Sequence, residues 1–99
     1  MLVFKDLEFK KSVHGGVGGG MEFDNGFDIS VQAGEFSYST PRENLTSADD
    51  FVSFEVAVFT PDGEFTREFF PEDHHDDVLG WQDRDEITAL MLKIQSKNK

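Results

Sequence analysis

The sequence predicts an α+β fold in one domain over residues 1–99: an antiparallel sheet of four to five strands in two hairpins, with one C-terminal amphipathic helix packed on one face. Three observations predict it. Asn25-Gly26 and Pro61-Asp62-Gly63 are turn signals flanked by alternating apolar residues. Asp83 and Glu86 open a run with helical apolar spacing. Eleven Phe and an apolar content of 37% in 99 residues are enough to build a core without covalent staples. Disordered chains combine high charge with few aromatics, whereas this one is 13% aromatic.

Residues 2–9 read as a first strand, with Leu7 and Phe9 on one face and Lys5, Asp6 and Glu8 carrying charge. Residues 10–20 read as a flexible Gly-rich loop, because the five glycines of His14-Gly15-Gly16-Val17-Gly18-Gly19-Gly20 lose much backbone entropy on ordering. The first hairpin follows. Met21 and Phe23 face the core with Phe27, Ile29 and Val31, and Asn25-Gly26 supplies the positive backbone angles of the turn. Residues 33–50 form a long polar loop containing Gly34, Pro41 and Asp49-Asp50.

In the second hairpin Val52, Phe54, Val56 and Val58 alternate with Ser53, Glu55 and Ala57, and the chain returns through residues 64–69. One apolar and one polar face is the pattern of a sheet covered on one side. The helix spans residues 83–97, with a D-x-x-E capping box, an apolar stripe of Ile87, Leu90, Met91 and Ile94, and Lys93 and Lys97 toward its negative end. Trp81, just before the N-cap, reads first as a staple onto the core and otherwise as a partner-facing anchor. Phe23, Ile29, Phe54, Val56, Leu90 and Ile94 are the expected core.

Twenty Asp and Glu against nine Lys and Arg give a net charge of -11, which repels nucleic acid and anionic membranes and favours a basic protein partner. The cations are scattered, without the basic stripe that nucleic-acid binding needs. No apolar run approaches the ~18 residues that span a membrane, and the start Met1-Leu2-Val3-Phe4-Lys5-Asp6 meets charge too early for a signal-peptide core. Cysteine is absent, so disulfides and thiol chemistry are excluded and a cytoplasmic location is expected.

The charge is densest over residues 71–86, with seven carboxylates against Arg84 alone. Asp73-His74-His75-Asp76-Asp77 offers good metal ligands, but consecutive residues rarely converge on one ion and no H-x-x-x-H or H-x-H spacing exists. It reads as a solvated acidic turn, so no metal and no cofactor are expected. The glycine segment lacks G-x-G-x-x-G and G-K-[ST], which excludes a phosphate cradle. No G-x-S-x-G or other nucleophile spacing appears, and the expectation is a protein that is not an enzyme. Asp83 and Glu86 are committed to capping, whereas Glu72, Asp73, Asp76 and Asp77 have no such duty and are candidate partner contacts. Phe36 and Tyr38 join them as aromatics in a polar loop without an evident core face.

Phe23-Asp24-Asn25-Gly26-Phe27, then Glu55-Val56-Ala57-Val58 before Asp62-Gly63, then Asp77-Val78-Leu79-Gly80-Trp81 leading into the helix, resemble a loose group of small proteins of unknown function encoded by phages and prophages. Residues 36–50 look like an insertion relative to that group, which brings no catalytic residues to carry over. The resemblance implies origin, not activity; by analogy with a class, small acidic phage proteins often bind and disable a host protein, anti-CRISPR proteins and DNA mimics among them. The expected function is a non-enzymatic inhibitor engaging a basic surface of a host protein, in the host cytoplasm. The alternatives are a small-molecule-binding domain whose glycine loop and 33–50 loop close over a pocket, or a virion or structural accessory protein.

Overall fold

In the computed structural model, which describes residues 1–98, five strands pair antiparallel in the order β1-β2-β3-β4-β5, each beside its neighbour in sequence. They are β1 (Glu8–Lys11), β2 (Val17–Glu22), β3 (Asp28–Ala33), β4 (Phe54–Phe59) and β5 (Val78–Gln82), followed by α1 (Arg84–Gln95). Ile87, Leu90, Met91 and Ile94 of α1 share one buried cluster with Ile29, Val31, Phe54, Val56 and Val58 of the sheet, so the helix covers one face. This is the α+β class that the sequence predicts. Phe23, Ile29, Phe54, Val56, Leu90 and Ile94 are all buried.

Helix α1 starts where its capping box requires. Asp83 Oδ1 accepts from the Glu86 amide at 2.8 Å, and Glu86 Oε1 accepts from the Asp83 amide at 3.0 Å, so two otherwise orphaned donors are satisfied. At the other end Asn25 Nδ2 donates to the carbonyls of Ile94 and Lys97, at 2.8 and 3.0 Å. The β2–β3 turn therefore caps the helix from across the core. That turn has three residues rather than two: Phe23 and Phe27 pair across Asp24, Asn25 and Gly26, and only Gly26 takes a positive φ, of 90°. This is the form in which a type I turn is followed by a left-handed glycine.

The N-terminal expectations shift. Phe4–Asp6 is a 3-10 turn, and the first strand starts at Glu8. The segment expected as a flexible loop is a turn followed by strand β2, whose Gly18, Gly19 and Gly20 pair with Lys10, Phe9 and Glu8 on one side and with Gln32, Val31 and Ser30 on the other. Two ladders offset the entropy that glycine loses on ordering. At Gly19 the missing side chain is used: a Cβ there would lie 3.3 Å from the ring of Phe9, which instead covers the backbone and reaches Phe4 and Phe54, each with centroids 5.6 Å away.

The second hairpin is corrected. Residues 64–69 form no strand and touch β4 through one isolated bridge, between Phe59 and Phe65. Phe69 and Phe70 are both buried, and consecutive residues of a strand would point to opposite faces, so the chain turns inward there instead. The fifth strand comes from Val78–Gln82, inside the acidic lead-in to the helix. Val52, placed by its alternation on the apolar face, is 63% exposed, because the strand begins two residues later at Phe54.

Residues 33–50 make a strapped excursion. Ser39 Oγ accepts from the Gly34 amide and donates to the Pro41 carbonyl, Asn44 Oδ1 accepts from the Glu35 amide, and Thr40 bridges to Ser53. Arg84 closes the far end by donating to the carbonyls of Phe51 and Ala48, each at 2.9 Å, with its guanidinium 5.3 and 5.2 Å from the ring centroids of Phe4 and Phe54. The arginine inside the acidic run is thereby spent on the fold.

Candidate functional site

Strand alternation puts a second set of side chains on the sheet face that α1 does not cover. The register gives three rows across it. One row holds Glu22, Asp28 and Phe59, a second Glu8, Gly20, Ser30, Ala57 and Val78, and a third Lys10, Gly18, Gln32 and Glu55. Because Gly18 and Gly20 carry no side chain, the face sinks along β2 into a depression of about 400 Å³, walled by Glu8 and Lys10 on one side and by Asp28, Ser30 and Gln32 on the other.

The last row ends in an irregularity. Phe54 pairs with Gln82 but Val56 with Leu79, so β5 carries one extra residue opposite Glu55. Trp81 sits in this bulge with φ at 52°, a left-handed backbone that costs a non-glycine residue about 1 kcal/mol or more. Its amide donates to the Tyr38 carbonyl at 2.8 Å, and its indole stacks on the Tyr38 ring with centroids 5.1 Å apart. Tyr38 is held in turn by its own amide, which donates to Glu55 Oε2 at 2.7 Å, and it lies so close over Gly80 that a Cβ there would approach the Tyr38 Cβ to 2.7 Å. Arg42 places its guanidinium 5.5 Å from the Tyr38 centroid.

Trp81 is therefore no staple onto the core. It is 54% exposed, and Tyr38 is 40% exposed. The bulge explains the difference, since the extra residue reverses the side-chain alternation that would have aimed the indole inward. Phe36 is 75% exposed and has no ring partner among the described residues, so it does not join the pair.

Glu72, Asp73, Asp76 and Asp77 are all exposed in the turn that precedes β5. The turn is ordered by its histidine: His74 Nε2 donates to the Val78 carbonyl at 2.7 Å, and the imidazole meets the Phe70 ring edge-on with centroids 5.5 Å apart. Asp76 Oδ1 accepts from the Val78 amide at 3.4 Å, and Arg67 reaches the His75 carbonyl at 2.7 Å. With Gln82 donating to the Gly80 carbonyl, side chains and Tyr38 occupy much of the backbone of this edge strand, a device that blunts edge-to-edge pairing. From Asp77 to Trp81 is about 13 Å at strand rise, so the acidic turn and the aromatic pair lie at the two ends of β5.

Burial raises the pKa of Asp28 above the usual carboxylate value, and the facing Glu22 charge adds to the rise, partly offset by the Ile29 amide. Among the described residues no set of three His, Cys, Asp or Glu side chains converges to hold a metal ion, and no helix is long and apolar enough to cross a membrane.

Comparison of the chain with family models, with curated proteins and with solved structures gave no match.

Sequence reasoning anticipated the exposure of Tyr38 and of the acidic turn, put Trp81 in the core ahead of its surface reading, and missed Glu55 as the anchor of Tyr38 and the glycine floor of β2. The alternation of Glu55 with Val56 carried a signal for the first of these two. The bulge carried none.

Proposed function

We propose that this is a small non-enzymatic binding protein that engages a basic surface of another protein along β5, with Glu72, Asp73, Asp76 and Asp77 at one end and Tyr38 and Trp81 at the other. The observation that carries the reading is the Tyr38/Trp81 pair. It is exposed, yet fixed by a left-handed backbone, a hydrogen bond from the Trp81 amide to the Tyr38 carbonyl, the Glu55 carboxylate and a glycine floor. Large aromatics that are already ordered lose little entropy on contact and make good anchors. The exposed carboxylates serve a different purpose, since such charges steer encounter and raise association rates more than they deepen affinity.

In the cell such a protein acts as the phage-type inhibitors do, by covering a cationic site of a host protein in the cytoplasm. The reading of a loop-closed pocket for a small molecule loses one of its two lids, because the glycine segment is the paired strand β2. The test is affinity capture from a bacterial lysate at low and at moderate salt, with mass spectrometry of what binds. A basic protein retained at low salt and lost from Trp81→Ala material supports the proposal. Capture that is equal for the two proteins contradicts it.

A further inference from the structure

We propose that the uncovered sheet face docks a lysine- or arginine-bearing segment of a partner protein, one long cationic side chain lying along the glycine trough of β2 with its head group among Glu8, Glu22 and Asp28. This rests on the reading that the partner is basic, but it assigns the contact to a different surface from the acidic turn. The trough has the right shape. Its walls stand two strand spacings apart, about 9.6 Å, and Gly18, Gly20 and Glu22 follow one another along its floor over about 13 Å. A lysine or arginine stem laid there covers bare backbone with methylenes while its charged end stays at the carboxylate rim.

Four carboxylates, Glu8, Glu22, Asp28 and Glu55, share this face with one cation, Lys10 on the trough wall. The ion pair found among the described residues joins Lys97 with Glu68, which leaves Glu8, Glu22, Asp28 and Glu55 without a lysine or arginine at ion-pair distance within that set. Glu22 and Asp28 stand directly opposite each other, a like-charged cross-strand pair that is unfavourable until a cation arrives. The raised pKa of Asp28 comes from burial first and from this facing charge second. Beyond β3 the face becomes apolar at the half-buried Phe59 and Val78, which flank the buried Ala57, with the Phe65 ring centroid 4.7 Å from that of Phe59, so a segment that mixes cationic and apolar side chains matches both halves. A second copy of this chain would set acidic face against acidic face, and an anionic membrane is repelled for the same reason.

The test titrates isotope-labelled protein with a short Lys-Ala repeat peptide and with its Gln-Ala analogue, following backbone amides by NMR. The account expects shifts at Gly18, Gly20, Ser30 and Ala57 with the lysine peptide and none with the analogue. It also expects Gly18→Val to weaken binding about tenfold at unchanged melting temperature, since the new Cβ enters at an ordinary 3.7 Å from Gln32 Cγ and fills the trough. Shifts confined to residues 72–81 would overturn this inference and leave the proposed function standing. Silence throughout would remove both. Concentration-dependent shifts of the same amides without peptide would overturn it in favour of a second copy as the occupant, and unchanged affinity in Gly18→Val would also contradict the trough.

Discussion

Trp81 donates its amide to the carbonyl of Tyr38 at 2.8 Å and stacks its indole on the Tyr38 ring, 29° from parallel. A residue of the long loop and a residue of the edge strand are thus one unit. The chain has one Trp and one Tyr, so the unit can be followed optically without labels.

Gly80→Ala should break this unit selectively. The added Cβ would meet the Tyr38 Cβ at 2.7 Å, so the loop must shift while the core beneath stays intact. Tryptophan emission and near-ultraviolet circular dichroism should change markedly, with a stability loss of about 1 kcal/mol. Spectra identical to the parent protein would contradict the stacked arrangement.

Phe54→Ala should cost about 3–5 kcal/mol, because the ring is fully buried and packs on Phe4, Phe9 and Phe51. Urea unfolding measures it. A loss under about 1 kcal/mol would place Phe54 outside the core.

Asn25 tests the link between hairpin and helix. Asn25→Ala removes one donor from the carbonyls of Ile94 and Lys97, of which Ile94 keeps the Lys97 amide, together with the acceptor of the Phe27 amide, and should cost about 1–2 kcal/mol in the same assay. Asn25→Asp should cost at least as much at neutral pH, since a carboxylate then faces the negative end of the helix. An aspartate variant as stable as the parent would contradict this cap.

Asp28 gives a pH signature. Its folded pKa lies above its ordinary value of 3.8, so the folded state binds this proton more tightly than the unfolded chain. Its charge therefore destabilises the fold at neutral pH, and that loss is recovered as pH falls through the raised pKa toward 3.8. Asp28→Asn should raise the melting temperature at pH 7, with a gain that shrinks across that window. A variant less stable than the parent at pH 7 would contradict the sign.

The sheet-and-helix class was legible because its signals are local. The Asn25-Gly26 turn, the alternation from Phe54 to Val58 and the Asp83 and Glu86 cap each depend on residues adjacent in sequence. What was missed depends on residues far apart. Strand β2 holds its glycines through partners on β1 and β3, and no feature of a glycine run announces two ladders. Val78–Gln82 was hidden by the charges before it, although Val78, Leu79 and Trp81 have the residue types of a strand. The exposure of the acidic turn was legible because exposure follows from charge, whereas the outward turn of Trp81 follows from a bulge opposite Glu55 that only the paired strand reveals.

Association kinetics against salt decide whether the acidic turn steers a basic partner onto the edge of β5. The protein is compared with a variant carrying Glu72→Gln, Asp73→Asn, Asp76→Asn and Asp77→Asn, using the partner captured from lysate. After Asp76→Asn the side-chain carbonyl at that position can still accept from the Val78 amide, so the melting temperature should hold. The association rate should fall steeply with ionic strength in the parent, and be about tenfold slower and nearly flat in the variant. Equal rates with equal salt dependence would contradict it.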